Sequence, residues 1–174
     1  LSNISLLSEF QRTHQFLQSL NLPKERISII PGNHDAYVKQ AVTQNLFFRF
    51  FGSSSVDDFD SFPFVHIQGD VALIGVSTAV PCPPFLAYGR IDPRQLTRLG
   101  KVLDEQRSRF RVVLIHHAPV LYRKDALHGL RDKNALQEML LKQGCELILH
   151  GHEHRDLFAS IPGPNGPIPV VGVG

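Results

Sequence analysis

Short aliphatic runs that stop abruptly in turns rich in imidazole and amide groups constrain this chain more than any other feature. Ile27 to Ile30 leads through Pro31 into Gly32-Asn33-His34-Asp35. Val112 to Ile115 leads into His116-His117, and Leu147 to Leu149 into His150 and then Gly151-His152-Glu153-His154. Runs this brief, bounded by polar turns, read as buried strands rather than helices. Five of the nine histidines sit in these three turns, or six with His150. Strand ends that deliver nitrogen and amide donors to one rim can converge on a metal ion. The expectation is a metal site on an α/β scaffold.

The flanking pattern supplies the rest of that scaffold. Ser5 to Leu20 reads as a helix, with Leu6, Phe10, Leu17 and Leu20 as its apolar stripe, Ser5 as N-cap and Asn21 as terminator before Pro23. A second helix is expected over Tyr37 to Phe48, then a polar loop over Gly52 to Ser61. Phe64 to Ile67 and Val71 to Val76 form a hairpin through Gly69-Asp70. Pro81-Cys82-Pro83-Pro84 excludes regular structure and reads as an ordered loop. Asp92-Pro93 opens a helix to about Arg107, by the cap-then-proline rule. Another helix starts at Asp132 and closes at Gly144. The Pro162 to Pro167 segment turns between two short strands. Hairpins among helices exclude a purely parallel sheet.

Bulk properties narrow the class. The 174 residues suffice for one domain with a real core, read here as 1–174. A formal charge of +2, with basic and acidic residues interleaved, argues for neither a nucleic-acid partner nor a membrane surface. Two cysteines, Cys82 and Cys145, make no disulfide framework, so a reducing, cytoplasmic setting fits. No apolar run is long enough to span a bilayer.

In Gly151-His152-Glu153-His154, histidines two apart on an extended segment point the same way and can share a site. Gly151 is the expected place for a sharp backbone turn. Neutral imidazole suits zinc, iron, copper and nickel alike. Asn33 offers a neutral amide oxygen. His34 is a candidate acid or electrostatic stabiliser, because imidazole titrates near neutral pH. Asp35 is expected to accept a hydrogen bond from that ring and set its tautomer. Adjacent residues at a strand end face opposite sides, so only one of His116 and His117 is expected at the site. His150 reads as turned into the core. His14 and His66 read as structural; His128 sits in a loop that can overhang the paired histidines. Arg123 and Lys124 read as solvated, and Gly69-Asp70 as a hairpin.

Taken together and in this order, Pro31-Gly32-Asn33-His34-Asp35, His116-His117-Ala118-Pro119 and Gly151-His152-Glu153-His154 resemble the calcineurin-like metallophosphoesterases. The likeness is strongest to the bacterial branch of class III cyclic-nucleotide phosphodiesterases. It extends to Leu73 through Thr78, to Gly89-Arg90-Ile91 before Gln95-Leu96, and to Val170 through Gly174. The resemblance implies an α/β sandwich of two mixed β-sheets flanked by helices, with two divalent ions (manganese, iron or zinc) at the strand ends. It implies that Asn33, His116 and His152 hold one ion, with His117 as the fallback for His116, and that His154 serves the other. It implies that His34 assists the leaving group. The mechanism it implies is in-line attack of hydroxide on phosphorus, with the ions neutralising the phosphoryl oxygens. The substrate implied is a small phosphoester, a cyclic nucleotide or other phosphodiester.

The same resemblance calls for an Asp-x-His and a Gly-Asp upstream of Asn33, and the chain has neither there. A fragment lacking its N-terminal part, and cut at its C-terminus, is the expectation. Such a chain is expected to hold one ion weakly and to turn over little. A binding or scaffold protein that kept the fold without catalysis, and a nuclease of the same superfamily, are the alternative readings.

Overall fold

The computed structural model describes residues 1–52, 62–121 and 127–174. The strands of these residues form one six-stranded mixed sheet flanked by helices, in the α/β class expected. In chain order the helices are α1 (Leu7–Ser19), α2 (Lys39–Thr43), α3 (Leu46–Phe51), α4 (Pro93–Glu105) and α5 (Lys133–Gln143). The strands are β1 (Phe64–Gln68), β2 (Val71–Gly75), β3 (Phe110–Ile115), β4 (Leu147–His150), β5 (Leu157–Ile161) and β6 (Ile168–Gly172). Their order across the sheet is β1-β2-β3-β4-β6-β5.

The two outer pairs are antiparallel hairpins, whereas β2, β3, β4 and β6 run parallel. Gly69 takes φ 60°, a left-handed torsion that glycine adopts without backbone strain, and this closes the β1–β2 turn. The parallel strands carry the aliphatic runs, as strands covered on both faces do. Ile74, Val113, Ile115, Ile148 and Val170 are buried together with Leu99 and Leu103 of α4 and Leu136 and Leu140 of α5. A second core is aromatic: Phe10, Ala41, Leu46, Phe47 and Phe62, with Phe48, Phe50, Phe51 and Phe64 packed around them.

Helix α4 begins as its sequence demands, since the Asp92 carboxylate accepts from the backbone N–H groups of Arg94 and Gln95. Gly144 ends α5 with φ 68°. At the N-terminal pole of the sheet, Arg111 binds Glu146 through both Nε and Nη2, and its Nη1 donates to the carbonyls of Leu103 and Gln143. One guanidinium thus ties the ends of α4 and α5 to the starts of β3 and β4.

Four local expectations need correction. Ile27 has extended torsions, but residues 27–30 pair with no described strand. Ile29 and Ile30 instead pack against the aromatic core, and Ser28 Oγ meets His66 Nδ1 at 3.0 Å. A local apolar pattern favours extension, but a ladder also needs a neighbour. Second, Ser5 is not the N-cap of α1; Leu6 is, and the Glu9 carboxylate collects the N–H groups of Asn3, Ile4 and Leu6. Third, the expected Tyr37–Phe48 helix is broken, because Asn45 adopts a left-handed φ of 51° between α2 and α3. Fourth, the α1 stripe is only partly covered: Phe10 is fully buried while Leu6 and Leu20 are exposed. Most of the expected 52–61 loop, together with Arg123 and Lys124, lies outside the described residues.

Candidate metal centre

The parallel strands β2, β3 and β4 all end at one rim, the side on which α/β sheets gather ligands. Thr78 follows β2, His116 and His117 follow β3, and Gly151 to His154 follow β4. The Gly151 N–H donates to the His116 carbonyl at 3.2 Å, stitching the last two segments together. Asn33 reaches the same rim from the turn that follows the 27–31 segment, and it is buried.

Nitrogen donors of His116, His117 and His152 lie within 4.8 Å of one another. Asn33 Oδ1 sits 2.8 Å from His116 Nε2. This is hydrogen-bond distance, with the ring N–H donating to the amide oxygen, and it is close to the roughly 3.0 Å between two ligands at right angles on one ion. The ring packs closely on this turn: a Cβ on Gly32 would meet His116 Cε1 at 2.8 Å. Glycine at position 32 therefore lets the His116 imidazole lie flat against the Asn33 turn.

Both paired histidines face the cluster, contrary to strict alternation. Strand β3 ends at Ile115, and residues 116–117 form a bend in which the two-residue period no longer applies. The rings of His116 and His117 lie 5.2 and 4.4 Å from that of His152. Their nitrogens differ, however. His117 Nε2 lies 3.2 Å from the Ala87 carbonyl, which can only accept, so the ring proton is on Nε2. Nδ1 then takes the hydroxyl proton of fully buried Thr78 at 2.8 Å. Both His117 nitrogens are engaged by protein, which leaves His116 and His152 as the donors with a free role.

The last motif is not extended. His152 has φ 72° and His154 φ 52°, and Glu153 N–H donates to the Gly151 carbonyl at 2.9 Å across His152. A three-residue turn with a non-glycine residue at its left-handed centre is strained, by about 1–3 kcal/mol. The sharp turn thus falls on the histidines and not on Gly151. It also divides them: His152 is half-buried in the cluster, while His154 is exposed at a shallow depression beside His34 and Arg12.

His34 and Asp35 are placed differently from expectation as well. The His34 Nδ1–H is held by the Asn3 carbonyl, not by Asp35, which leaves Nε2 open. The ring stacks on Tyr37 with centroids 5.7 Å apart. Asp35 is buried and accepts from the N–H groups of Ser2 and Gly32 and the Ser2 hydroxyl. Ser5 completes the turn, its hydroxyl binding the His34 carbonyl and accepting the Tyr37 N–H. Asp35 therefore shapes the Asn33–His34 turn instead of setting a tautomer.

A family model for calcineurin-like phosphoesterases matches residues 6–156. The chain belongs to that family. No curated protein matches it closely enough to count as a relative. Membership makes this phosphoesterase metal-dependent in general terms, and the imidazoles suit that role electrostatically. Burial first, then the neighbouring His152, push His116 down to about 3. Burial drives His117 well below the ordinary histidine range, with His116 adding to it. His152 is lowered too, by burial against the hydrogen bond its ring gives to the His128 carbonyl. Imidazoles that stay neutral do not repel a cation, and His116 and His152 can turn a ring nitrogen to it while His117 is held by Thr78 and Ala87.

Several contributors had no legible signal. The carbonyls of Asn3, Ala87 and His128 each hold a ring of this phosphoesterase, and a carbonyl is common to every residue. His128 does overhang the cluster, through its backbone. Gly89 fits against His117, where a Cβ would stand 2.3 Å from Nδ1. His150 turns inward, its Nδ1 at 2.9 Å from the Gly151 carbonyl, and it packs on Gly172. A cavity of about 610 Å³ opens elsewhere, between the first turn of α4 and Ser77 to Val80, and none of the histidines lines it. The histidine cluster lies at the rim and not in that cavity. Among the described residues no helix is long and apolar enough to cross a membrane, and Cys82 and Cys145 are free thiols.

Proposed function

We propose that this phosphoesterase hydrolyses phosphodiesters with two divalent ions, in the manner of the class III branch it resembles. Asn33, His116 and His152 hold one ion and His154 contributes to the second. The observation that carries the reading is the meeting of Asn33 Oδ1 and His116 Nε2, 2.8 Å apart and next to His152, from three remote segments. Among the described residues no carboxylate joins that group, so its donors are all neutral.

The ions, when bound, neutralise phosphoryl oxygens and acidify a water. The side chains do the rest. Asn33 and His116 fix the position of the phosphoryl group, and the packing of Gly32 against His116 keeps that donor from swinging away. His34 keeps one proton on Nδ1, against the Asn3 carbonyl. Nε2 is the ring nitrogen left to pass a proton to the departing ester oxygen.

The test combines metal content after dialysis with turnover of bis(4-nitrophenyl) phosphate in manganese. Asn33→Ala and His116→Ala should each lose the ion and the turnover while remaining folded by circular dichroism. If either variant retains as much metal as the parent, the ligand assignment is wrong. An ion-binding chain that never hydrolyses the diester would instead favour a binding protein of this fold.

A further inference from the structure

Thr78 is fully buried beside the histidine cluster, and among the described residues both partners of its hydroxyl lie on His117. Oγ1 donates to the ring Nδ1 at 2.8 Å and accepts the backbone N–H at 3.4 Å. That N–H belongs to the peptide joining His116 to His117. The carbonyl of the same peptide accepts from the Gly151 N–H at 3.2 Å, one residue before His152. The peptide is thus gripped at both ends, by Thr78 on one side and by the turn that carries His152 on the other.

Thr78 is itself held in place. The preceding Ser77 gives its N–H to Gln95 Oε1 and accepts the Gln95 Nε2–H on its carbonyl, each at 2.9 Å. Gln95 is buried in the first turn of α4, and the Thr78 carbonyl accepts the Arg90 N–H at 3.1 Å. Valine has nearly the shape of threonine and no hydroxyl to desolvate, so packing alone would be met by valine. What the hydroxyl adds acts on His117. Its ring centroid stands 4.9 Å from that of His116 and 4.4 Å from that of His152. With Nδ1 on Thr78 and Nε2 on Ala87, that ring is pinned at both nitrogens and gives the two neighbouring rings a fixed surface.

We propose that Thr78 is a positioning residue of the metal centre. Its hydroxyl fixes the His116–His117 peptide and the His117 ring, and through them the aim of the His116 and His152 nitrogens. The inference rests on the metal-dependent reading of the site and adds a residue that acts through another, not as a ligand.

Thr78→Val removes the hydroxyl at nearly constant shape, and Thr78→Ser keeps it. Manganese affinity by calorimetry should fall about tenfold or more in Thr78→Val and stay within about threefold of the parent in Thr78→Ser. The visible absorption of the cobalt-loaded chain should match the parent in Thr78→Ser and differ in Thr78→Val. Zinc added to the parent carrying 15N-histidine should shift ring nitrogens of His116 and His152 and leave those of His117 in place, a readout that needs no variant to fold. A Thr78→Val chain that melts lower yet binds manganese like the parent would make the threonine a packing residue and overturn the proposal. Equal losses in both variants overturn it too, as does a His117 nitrogen that takes up zinc. If the parent binds none of these cations, the metal-centre reading itself fails, and this inference with it.

Discussion

Gly89→Ala should disable the metal centre without touching a ligand. Gly89 does not need glycine for its backbone, because its φ is not in the left-handed region. The constraint is space: a Cβ would stand 2.3 Å from His117 Nδ1, where ordinary contact begins at 3.4 Å. The ring must recede by about 1.1 Å, and both of its hydrogen bonds, to Thr78 and Ala87, are disturbed. Overpacking of this kind costs about 1–3 kcal/mol. Leaving a buried acceptor and hydroxyl unpaired adds about 1–3 kcal/mol. The lower entropy of an unfolded alanine returns about 0.4–1 kcal/mol. The net is a loss of about 1–6 kcal/mol. At about 2–4 °C per kcal/mol for a chain of this size, the melting temperature should drop by about 2–20 °C. Because His117 lies against His152, manganese affinity should also fall by about tenfold or more. Gly69→Ala is the control. Its φ is 60° with nothing within 4 Å of the new Cβ, so it tests backbone strain alone. That change should cost about 1 kcal/mol and leave metal binding alone. If Gly89→Ala melts like Gly69→Ala and binds manganese like the parent, His117 does not position the centre.

Two further outcomes follow from the fold. Burial raises the Glu146 carboxyl, but hydrogen bonds from Arg111 outweigh it and hold it below the ordinary carboxylate range. A depressed carboxylate stabilises above its unfolded pKa and loses that effect as pH falls through the folded one. Glu146→Gln should therefore melt lower than the parent at pH 7, with the gap closing as pH drops below about 4; a constant gap would contradict the ion pair. Asp92→Ala should cost about 1 kcal/mol, or about 2–4 °C, by removing the two cap bonds to Arg94 and Gln95. Unchanged thermal melts would show that α4 does not depend on its cap.

Much of the scaffold was legible locally. The aliphatic runs of β3 and β4, the Gly69-Asp70 hairpin, the Asp92-Pro93 helix start and the Gly144 helix end each depend on residues within a few positions of one another. So did the donor types, since imidazoles and an amide after buried runs narrow the chemistry to cations near neutral pH. Ile27 to Ile30 was legible only as extended, because strand pairing is decided by what lies alongside. Asn45 was the visible breaker of the second helix, but an asparagine inside an apolar pattern does not announce a left-handed φ.

Residue identity by itself determined that this chain is α/β and that its rim is furnished with neutral nitrogen and oxygen donors. Only the tertiary structure decided which of them meet: His116 against Asn33, His117 taken up by Thr78 and Ala87, His152 parted from His154, and Asp35 turned from His34 to Ser2 and Gly32. The reason is physical. Secondary-structure preference is a short-range property of backbone torsions and side-chain period. The partner of a ring nitrogen is whichever acceptor the folded chain brings within about 3 Å of it, often a backbone carbonyl that every residue carries.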